Sequence, residues 1–357
     1  MEFFQIIYNT LSGAASSAWG YVNYVTLGIF PWDCFSLTGA LLFFGFTLIG
    51  ARYGFTHEYL THRASSIKSD QNWRSALRTL FPPKNWNPSI LKQDLLLSFT
   101  ILAMFGVFIY FLIPVSADGI SRFLFPFAGR VLGFSSESNT PVSHGPFMDL
   151  AYSLFLLVMM ELGHWIYHYL SHTVPFLWEY HKVHHAPTSM TPASDYRLHP
   201  IDYTFLFFTQ GLFVGIGAVI FYLVFGVNSI GQDSQFVAYC FLAIVYLPAT
   251  LHHSYRWWSW GKLEWVFLSP AWHILHHSKD PKHFNTNFGL RLTIFDHLFG
   301  TASKTSAAPP EGGIEIGIPD EGYNWSGASL WRLMIDPVKR SFKITTAAVL
   351  NQERNRR

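Results

Sequence analysis

The sequence predicts an all-α fold: a polytopic membrane helix bundle of four to five spans with a cytosolic histidine-rich helical cap. Three observations lead there. Half of the 357 residues are apolar and only 13% are charged, whereas soluble domains carry about a quarter charged residues. Several apolar stretches approach the ~20 residues a helix needs to cross a bilayer. Finally, 12 of the 17 histidines fall between His164 and His277, most of them in three tight clusters.

Taken in order, the expected spans are Phe35–Ala51, Leu95–Val115, Phe147–Met160 continuing helically onward, Phe205–Val227 and Phe236–Leu251. No Asp, Glu, Lys or Arg occurs between Asp33 and Arg52, between Asp94 and Asp118, or between Asp202 and Asp233. The first stretch is short, and so is the third, where Glu161 ends the apolar run and opens a histidine face. The region 303–325, rich in Pro, Gly and Ser, reads as an irregular connection, and 326–350 as a short amphipathic piece with a frayed or lipid-touching tail beyond. These boundaries divide the chain into an N-terminal membrane region with a basic cytosolic loop (1–144), a histidine-bearing catalytic domain (145–301) and a C-terminal cytosolic tail (302–357).

Loop charges orient the spans. No Lys or Arg precedes Arg52, and the next loop carries Arg52, Arg63, Lys68, Arg74, Arg78, Lys84 and Lys92 against Glu58 and Asp70. The positive-inside rule makes that loop cytoplasmic. Alternation then leaves residues 116–145 and 228–235 outside, and brings 161–204 and everything after Leu251 inside. All three histidine clusters thereby share the cytosolic side of a multi-pass integral membrane protein. The first residues lack the basic n-region of a cleaved signal peptide, so none is expected. A net charge of +2 with no basic patch gives no sign of a nucleic-acid partner. The two cysteines, Cys34 and Cys240, have no paired spacing, which argues against a disulfide framework and a thiolate metal site.

The clusters carry the chemistry. His164, His168 and His172 are spaced by four and share one helical face. His181, His184 and His185 form an HxxHH, and so do His273, His276 and His277; positions i, i+3 and i+4 lie on one side of a helix. Two such motifs arise by chance in a chain of this composition at roughly one in a thousand. Neutral imidazole is the commonest transition-metal ligand, and this array is too large for one ion. All-nitrogen ligation suits Fe, Zn, Cu or Ni. A redox role makes two irons the most economical pair, although the array alone does not separate iron from zinc.

In combination the motifs resemble those of the fatty acid hydroxylase/sterol desaturase superfamily of membrane di-metal oxygenases. The matching residues are HxxxH at His168–His172, HxxHH at His181–His185, DYRLHP at Asp195–Pro200, and WHILHHSKDPKHFNTNFG followed by FDHLFGT ending at Thr301. The similarity covers about residues 145–301. It implies an O2-dependent enzyme with two metals, normally iron, that hydroxylates or desaturates an unactivated C–H bond of a lipid or sterol. Electrons would come from an external donor, such as a cytochrome b5-like or ferredoxin-type protein, because no flavin, haem or nucleotide motif is visible.

Carried over residue by residue, the resemblance implies that His168, His172, His181, His184, His185, His273, His276 and His277 are ligands. One more is expected at the end of the last span, where either His252 or His253 fits. His199 matches a family position as a ligand or as a group fixing a ligand's tautomer, and His164 matches a histidine of the sterol methyl oxidase branch. Glu161 and Asn287 are the candidate catalytic polar residues. Glu161 would accept the N–H of a ligand imidazole, and Asn287, like Asp296, matches a common position that orients loops. Two departures stand out: Tyr169 replaces the usual Arg after the first ligand, and His297, read as structural, replaces the Arg near the closing Leu-Phe-Gly. His57 and His62 are expected to be solvated loop residues, and His144, on the outside face, and His283, in a polar loop, are expected to carry no chemistry. Two rival readings are a metal transporter or sensor, which needs polar groups at mid-membrane that these spans lack, and an inactive membrane protein stabilised by zinc.

Overall fold

A computed structural model describes residues 89–100, 117–132, 145–190, 192–226, 252–253, 257–306, 310, 313–319 and 322–356, all within the compact unit Pro88–Arg357. Residues 89–100 are helical. They are followed by α1 (Ala117–Leu132), α2 (Pro146–Thr173), α3 (Pro175–His185), α4 (Pro200–Phe225), α5 (Pro270–His276), α6 (Ile294–Phe299) and α7 (Leu330–Arg356). Short 3-10 turns at Pro192–Tyr196, Gly261–Trp265 and Pro281–His283 punctuate the loops. Among the described residues the only β pairing is in isolated bridges, such as Phe267 with Leu292, so the helical class holds.

Proline sets the helix starts. Pro146, Pro175, Pro200 and Pro270 each sit in the first turn of their helix, where a missing N–H costs nothing and φ is already helical. Pro175 also forces Val174 into extended geometry (φ −96°, ψ 113°), which ends α2 and starts α3 with no loop between them. Glycine ends α4: Gly226 is left-handed at φ 72°, and its N–H reaches the Tyr222 carbonyl.

Two of these helices are long and apolar enough to cross a membrane, α2 (28 residues) and α4 (26 residues). At 1.5 Å per residue either one exceeds the ~30 Å hydrocarbon core. They pack side by side, and small residues set the approach. A Cβ at Gly163 would meet the Thr209 carbonyl oxygen at 2.7 Å, and one at Gly217 would meet Met159 Cγ at 2.7 Å. The expected third span is thus the first half of one continuous helix, and its second half carries the first histidine stripe. The expected spans Phe35–Ala51 and Phe236–Leu251, and Leu95–Val115 beyond residue 100, lie outside the described residues.

Residues 116–145 differ from expectation. They read as an external connection, yet 117–132 form α1, which packs along α4 with Phe125 edge-on to Tyr222 at 5.2 Å. A continuing helical run of Phe and Leu either side of Pro126 supplies the apolar surface. At 16 residues α1 is about 24 Å long, short of a span. In the tail, α7 begins at Leu330 inside the expected amphipathic piece, packs on α3 and continues helically to Arg356, where a frayed or lipid-touching end was expected. Residues 303–325 are irregular where described.

Candidate metal centre

The fold brings nine histidines into two adjoining groups. His168, His172, His181, His185 and His276 form one, and His184, His253, His273 and His277 the other; within each, one ring nitrogen per residue lies within 4.8 Å of all the rest. The groups draw on α2, α3, the turn at 252–253 and α5 with its C-cap. Each HxxHH is divided between them, in opposite senses. His181 and His185, one turn apart on α3, face the first group while His184 faces the second. On α5, His273 and His277 face the second group while His276 faces the first. The groups abut where His185 stacks on His277 at 4.2 Å between ring centres.

Backbone and carboxylate acceptors fix the tautomers. His168 Nδ1–H donates to the Phe288 carbonyl at 2.9 Å, and His276 Nδ1–H to the Thr286 carbonyl at 2.7 Å. A carbonyl only accepts, so these Nδ1 atoms carry the proton and each Nε2 is left with a bare lone pair. His181 Nδ1 lies 2.9 Å from Asp202 Oδ2, and Tyr167 Oη donates to Asp202 Oδ1 at 2.8 Å. His253 Nδ1 lies 3.0 Å from Asp195 Oδ1. Each of these ligand-to-acceptor pairs leaves Nε2 aimed inward.

These inward nitrogens meet one another. His253 Nε2 lies 3.3 Å from His184 Nε2 and 3.0 Å from His273 Nε2, His277 Nε2 is 3.1 Å from His273 Nε2, and His276 Nε2 is 3.2 Å from His185 Nε2. The Nε2 atoms of His168, His172 and His181 are buried and have no hydrogen-bond partner. Converging lone pairs repel unless a cation sits among them. Two imidazoles on one ion, at about 2.0–2.1 Å each, place their nitrogens about 3 Å apart. The donor set therefore fits two nitrogen-ligated transition-metal ions. Burial, reinforced by the neighbouring imidazoles, holds His181, His184, His185, His273 and His277 well below the usual imidazole range, and burial brings His276 to about 4. Neutral rings are the metal-binding form.

Three expected ligands stay out of the groups. His199 caps α4, accepting from Ile201 N–H at Nδ1 and donating from Nε2 to the Met334 carbonyl at 2.9 Å. With both nitrogens engaged, it holds no lone pair for an ion. His252 is buried, with its ring centre 5.7 Å from that of His273, but it is the His253 ring whose nitrogen converges with those of the second group. His164 sits one turn before His168, 5.5 Å between ring centres, with Gln210 Nε2 3.4 Å from its Nδ1.

Of the two candidate catalytic polar residues, Glu161 does not make the bond to an imidazole expected of it, and Asn287 orients loops as expected. Glu161 receives Arg291 Nη1–H at 2.6 Å on Oε1, and the backbone N–H groups of Arg291 and Leu292 on Oε2. Its acceptor capacity goes to anchoring the 289–292 loop to α2, not to an imidazole. Asn287, left-handed at φ 63°, donates to the Trp272 and Ser303 carbonyls and accepts from Ser303 N–H. It is a staple. Asp296 completes that job, accepting from Trp165 Nε1–H, Thr301 Oγ1–H and the N–H groups of Phe288 and Gly289. The carbonyls that hold His168 and His276 thus belong to a loop fixed by Asn287 and Asp296.

Tyr169, in place of the usual Arg, stacks on Trp165 at 5.1 Å. His297 stacks on Trp265 at 4.4 Å, as a structural residue would. His283, expected to carry no chemistry in a polar loop, is 9% exposed and stands in the 3-10 turn after the second HxxHH. His57, His62 and His144 lie outside the described residues. Sequence reasoning missed Asp202 and Tyr167. The signal was a single carboxylate at the edge of a charge-free run, one helical start away from the second histidine cluster. It also missed Asp195, although DYRLHP had drawn attention to that stretch.

Comparison with known proteins matches the stretch that holds these histidines. The family model for fatty acid hydroxylases matches residues 153–301, which contain all nine converging histidines. An ornithine lipid hydroxylase, OlsE, of Rhizobium tropici is 28% identical over 145 residues, covering 41% of this chain and 40% of that protein. Cholesterol 25-hydroxylase of Homo sapiens is 26% identical over 165 residues (45% of this chain, 54% of that protein). Alkylglycerol monooxygenase of Xenopus tropicalis is 23% identical over 150 residues (40% and 28%). The chain thus spans about half the length of these relatives or less. No solved structure matches it.

Proposed function

Starting from the membership of residues 153–301 in the fatty acid hydroxylase/sterol desaturase superfamily, we propose that this protein is an O2-dependent membrane oxygenase that hydroxylates an unactivated C–H bond of a lipid or sterol. The observation that carries the reading is the convergence of nine imidazoles, eight buried and that of His172 half-buried, into a group of five and a group of four. Ornithine lipid, alkylglycerol and cholesterol, the substrates named for the relatives, share a long or fused apolar body, and that is the substrate class we assign. Net hydroxylation consumes one O2, two electrons and two protons and yields the alcohol and water. Desaturation would consume the same and yield an alkene and two waters.

His168, His172, His181, His185 and His276 would hold one ion; His184, His253, His273 and His277 would hold the other. Two irons fit an oxygenase, and when bound they supply the reductive activation of O2; zinc in their place would leave a structural site. The chain's own residues do the rest. Asp202, with Tyr167, and the Phe288 and Thr286 carbonyls keep Nδ1 protonated and aim Nε2 inward. The buried rings of Phe288 and Trp165, edge-on to each other, with Tyr169 stacked on the outer side of Trp165, would keep water from the side of the first group. A multi-pass topology with the site on the cytosolic side would offer the ions to an electron-transfer protein while α2 and α4 present lipid. No flavin, haem or nucleotide motif is visible in the chain, so the electrons would come from such a partner.

Comparative lipidomics tests the reading. Cells carrying the active protein should contain a lipid heavier by one oxygen, or lighter by two hydrogens, that is absent with His184→Ala. Identical profiles with both proteins expressed and metal-loaded, or tightly held zinc with no O2 uptake under any reductant, would reject it.

A further inference from the structure

α7 presents three faces. Leu333, Pro337 and Ser341 are buried, and Leu333 joins Leu97, Val183 and Trp325 in one apolar cluster. About a third of a turn away, at 100° per residue, Trp331, Val338 and Phe342 form a stripe that is 73%, 40% and 70% exposed. Beyond the stripe lie the exposed Lys339 and Lys343, one helical turn apart, with Arg332 alongside, held to Asp336 at 3.2 Å. A surface helix normally offers water a polar face; this one offers large apolar side chains bordered by lysine.

The place where α7 is anchored says what covers that stripe. The Met334 carbonyl accepts from His199 Nε2–H at 2.9 Å, and His199 caps the start of α4. Gln93 Nε2 donates to the Ala328 carbonyl just ahead of α7. Both anchoring points stand where a long apolar run begins, α4 itself and the stretch opening at Leu95. A helix fastened at the mouth of such segments sits at headgroup level. There an apolar stripe enters the headgroup–acyl boundary and adjacent lysines meet anionic phosphates.

We propose that α7 is an interfacial helix: Trp331, Val338 and Phe342 insert into the surface of the bilayer that α4 crosses, and Lys339 and Lys343 bind anionic lipid headgroups. The inference rests on α4 being a span and is independent of the reaction catalysed. Because α7 packs on α3, which carries His181, His184 and His185, the membrane surface braces the helix that serves both metal groups.

Spin labels test this in the full-length protein with Cys34 and Cys240 replaced by Ser. Single cysteines at Val338, Phe342 and Lys343, and at Phe208 on α4 as a membrane control, would be labelled in nanodiscs of phosphatidylcholine with or without phosphatidylglycerol. Labels at 338 and 342 should favour collisions with oxygen, as the label at 208 does, while the one at 343 favours a water-soluble nickel chelate. Phosphatidylglycerol should deepen 338 and 342, and the pair Lys339→Glu with Lys343→Glu should abolish that effect. Nickel access at 338 and 342 equal to that at 343, with 208 protected, overturns the proposal. Nickel access at 208 also overturns it, together with the span. Dipolar coupling between labels at 342 on two copies would instead assign the stripe to a second chain.

Discussion

The Asp202 carboxylate lies 2.9 Å from His181 Nδ1 and at the same time receives the Tyr167 hydroxyl at 2.8 Å. A carboxylate in the first turn of one apolar helix thereby orients an imidazole on another, with a hydroxyl from a third helix fixing the carboxylate. Groups that orient a metal-binding histidine typically contribute 10–100-fold in metal affinity or activity. Asp202→Asn is expected to weaken metal retention in the first group by that factor while keeping the fold. Chelator competition with metal counting would show it, and unchanged retention would mean that the carboxylate does not tune His181.

Metal stoichiometry separates the histidines. His253→Ala is expected to lose the ion of the second group, and His276→Ala that of the first. His252→Ala and His199→Ala should each keep both ions. His199→Ala instead removes the α4 cap, which costs roughly 0.5–2 kcal/mol and should show as a lower melting temperature. Elemental analysis of the purified variants checks the set; loss of an ion from His252→Ala would add a ligand that the two groups do not include.

Glu161 is predicted to act on stability and not on chemistry. Replacing it by Ala leaves the buried Arg291 guanidinium without its carboxylate, and breaking a buried pair from one side costs about 3–5 kcal/mol. Thermal unfolding in detergent should register the loss. Turnover per metal-loaded molecule should be retained, and its collapse in a folded, metal-loaded Glu161→Gln would restore a catalytic role.

Gly163→Ala would place a methyl 2.7 Å from the Thr209 carbonyl oxygen. Backbone cannot yield as a side chain does, so α2 must move away from α4. Overpacking of this kind costs about 1–3 kcal/mol. Melting temperature reads the effect, and an unchanged value would mean that α2 and α4 do not approach this closely at Gly163.

Acid should destabilise the metal-free protein in a defined window. Burial holds His276 at about 4 in the folded chain against 6.5 unfolded. Above 6.5 both states hold it neutral and it contributes nothing. As pH falls from 6.5 towards 4 the unfolded chain takes up the proton first, so folded stability declines, by up to about 3 kcal/mol for this residue. His181, His184, His185, His273 and His277 shift in the same direction. Bound metal should be held through most of that window and released only as pH falls to about 4 and below, where the folded rings themselves take up protons that compete for the same lone pairs. A melting temperature flat across that range would contradict the buried, neutral array.

Spacing made much of the site readable. Eight of the nine converging histidines sit in HxxxH or HxxHH patterns, because i, i+3 and i+4 share a helix face whatever the tertiary fold. His253 was not separable from His252 in that way, since both stand in one turn and only packing selects the ring. Glu161 was misread for the same reason. A carboxylate three residues before a histidine stripe looks like a partner for imidazole, but helix geometry turns it toward a loop that returns some 130 residues later. The α1 helix was hidden by Pro126 and by its short length, although its apolar residues were visible.

What the sequence alone determined is local and chemical: an apolar run long enough for α4, a shorter one that opens α2, prolines that start four helices, and imidazoles clustered at helical spacing. Those follow from backbone sterics and from side-chain periodicity, which need no knowledge of the rest of the chain. The tertiary structure decided which nitrogen faces which, how each HxxHH is divided between two groups, and that Asp202, Phe288 and Thr286 hold the rings. Such choices depend on where distant segments cross, and the hydrogen-bond geometry that enforces them exists only after the helices have packed.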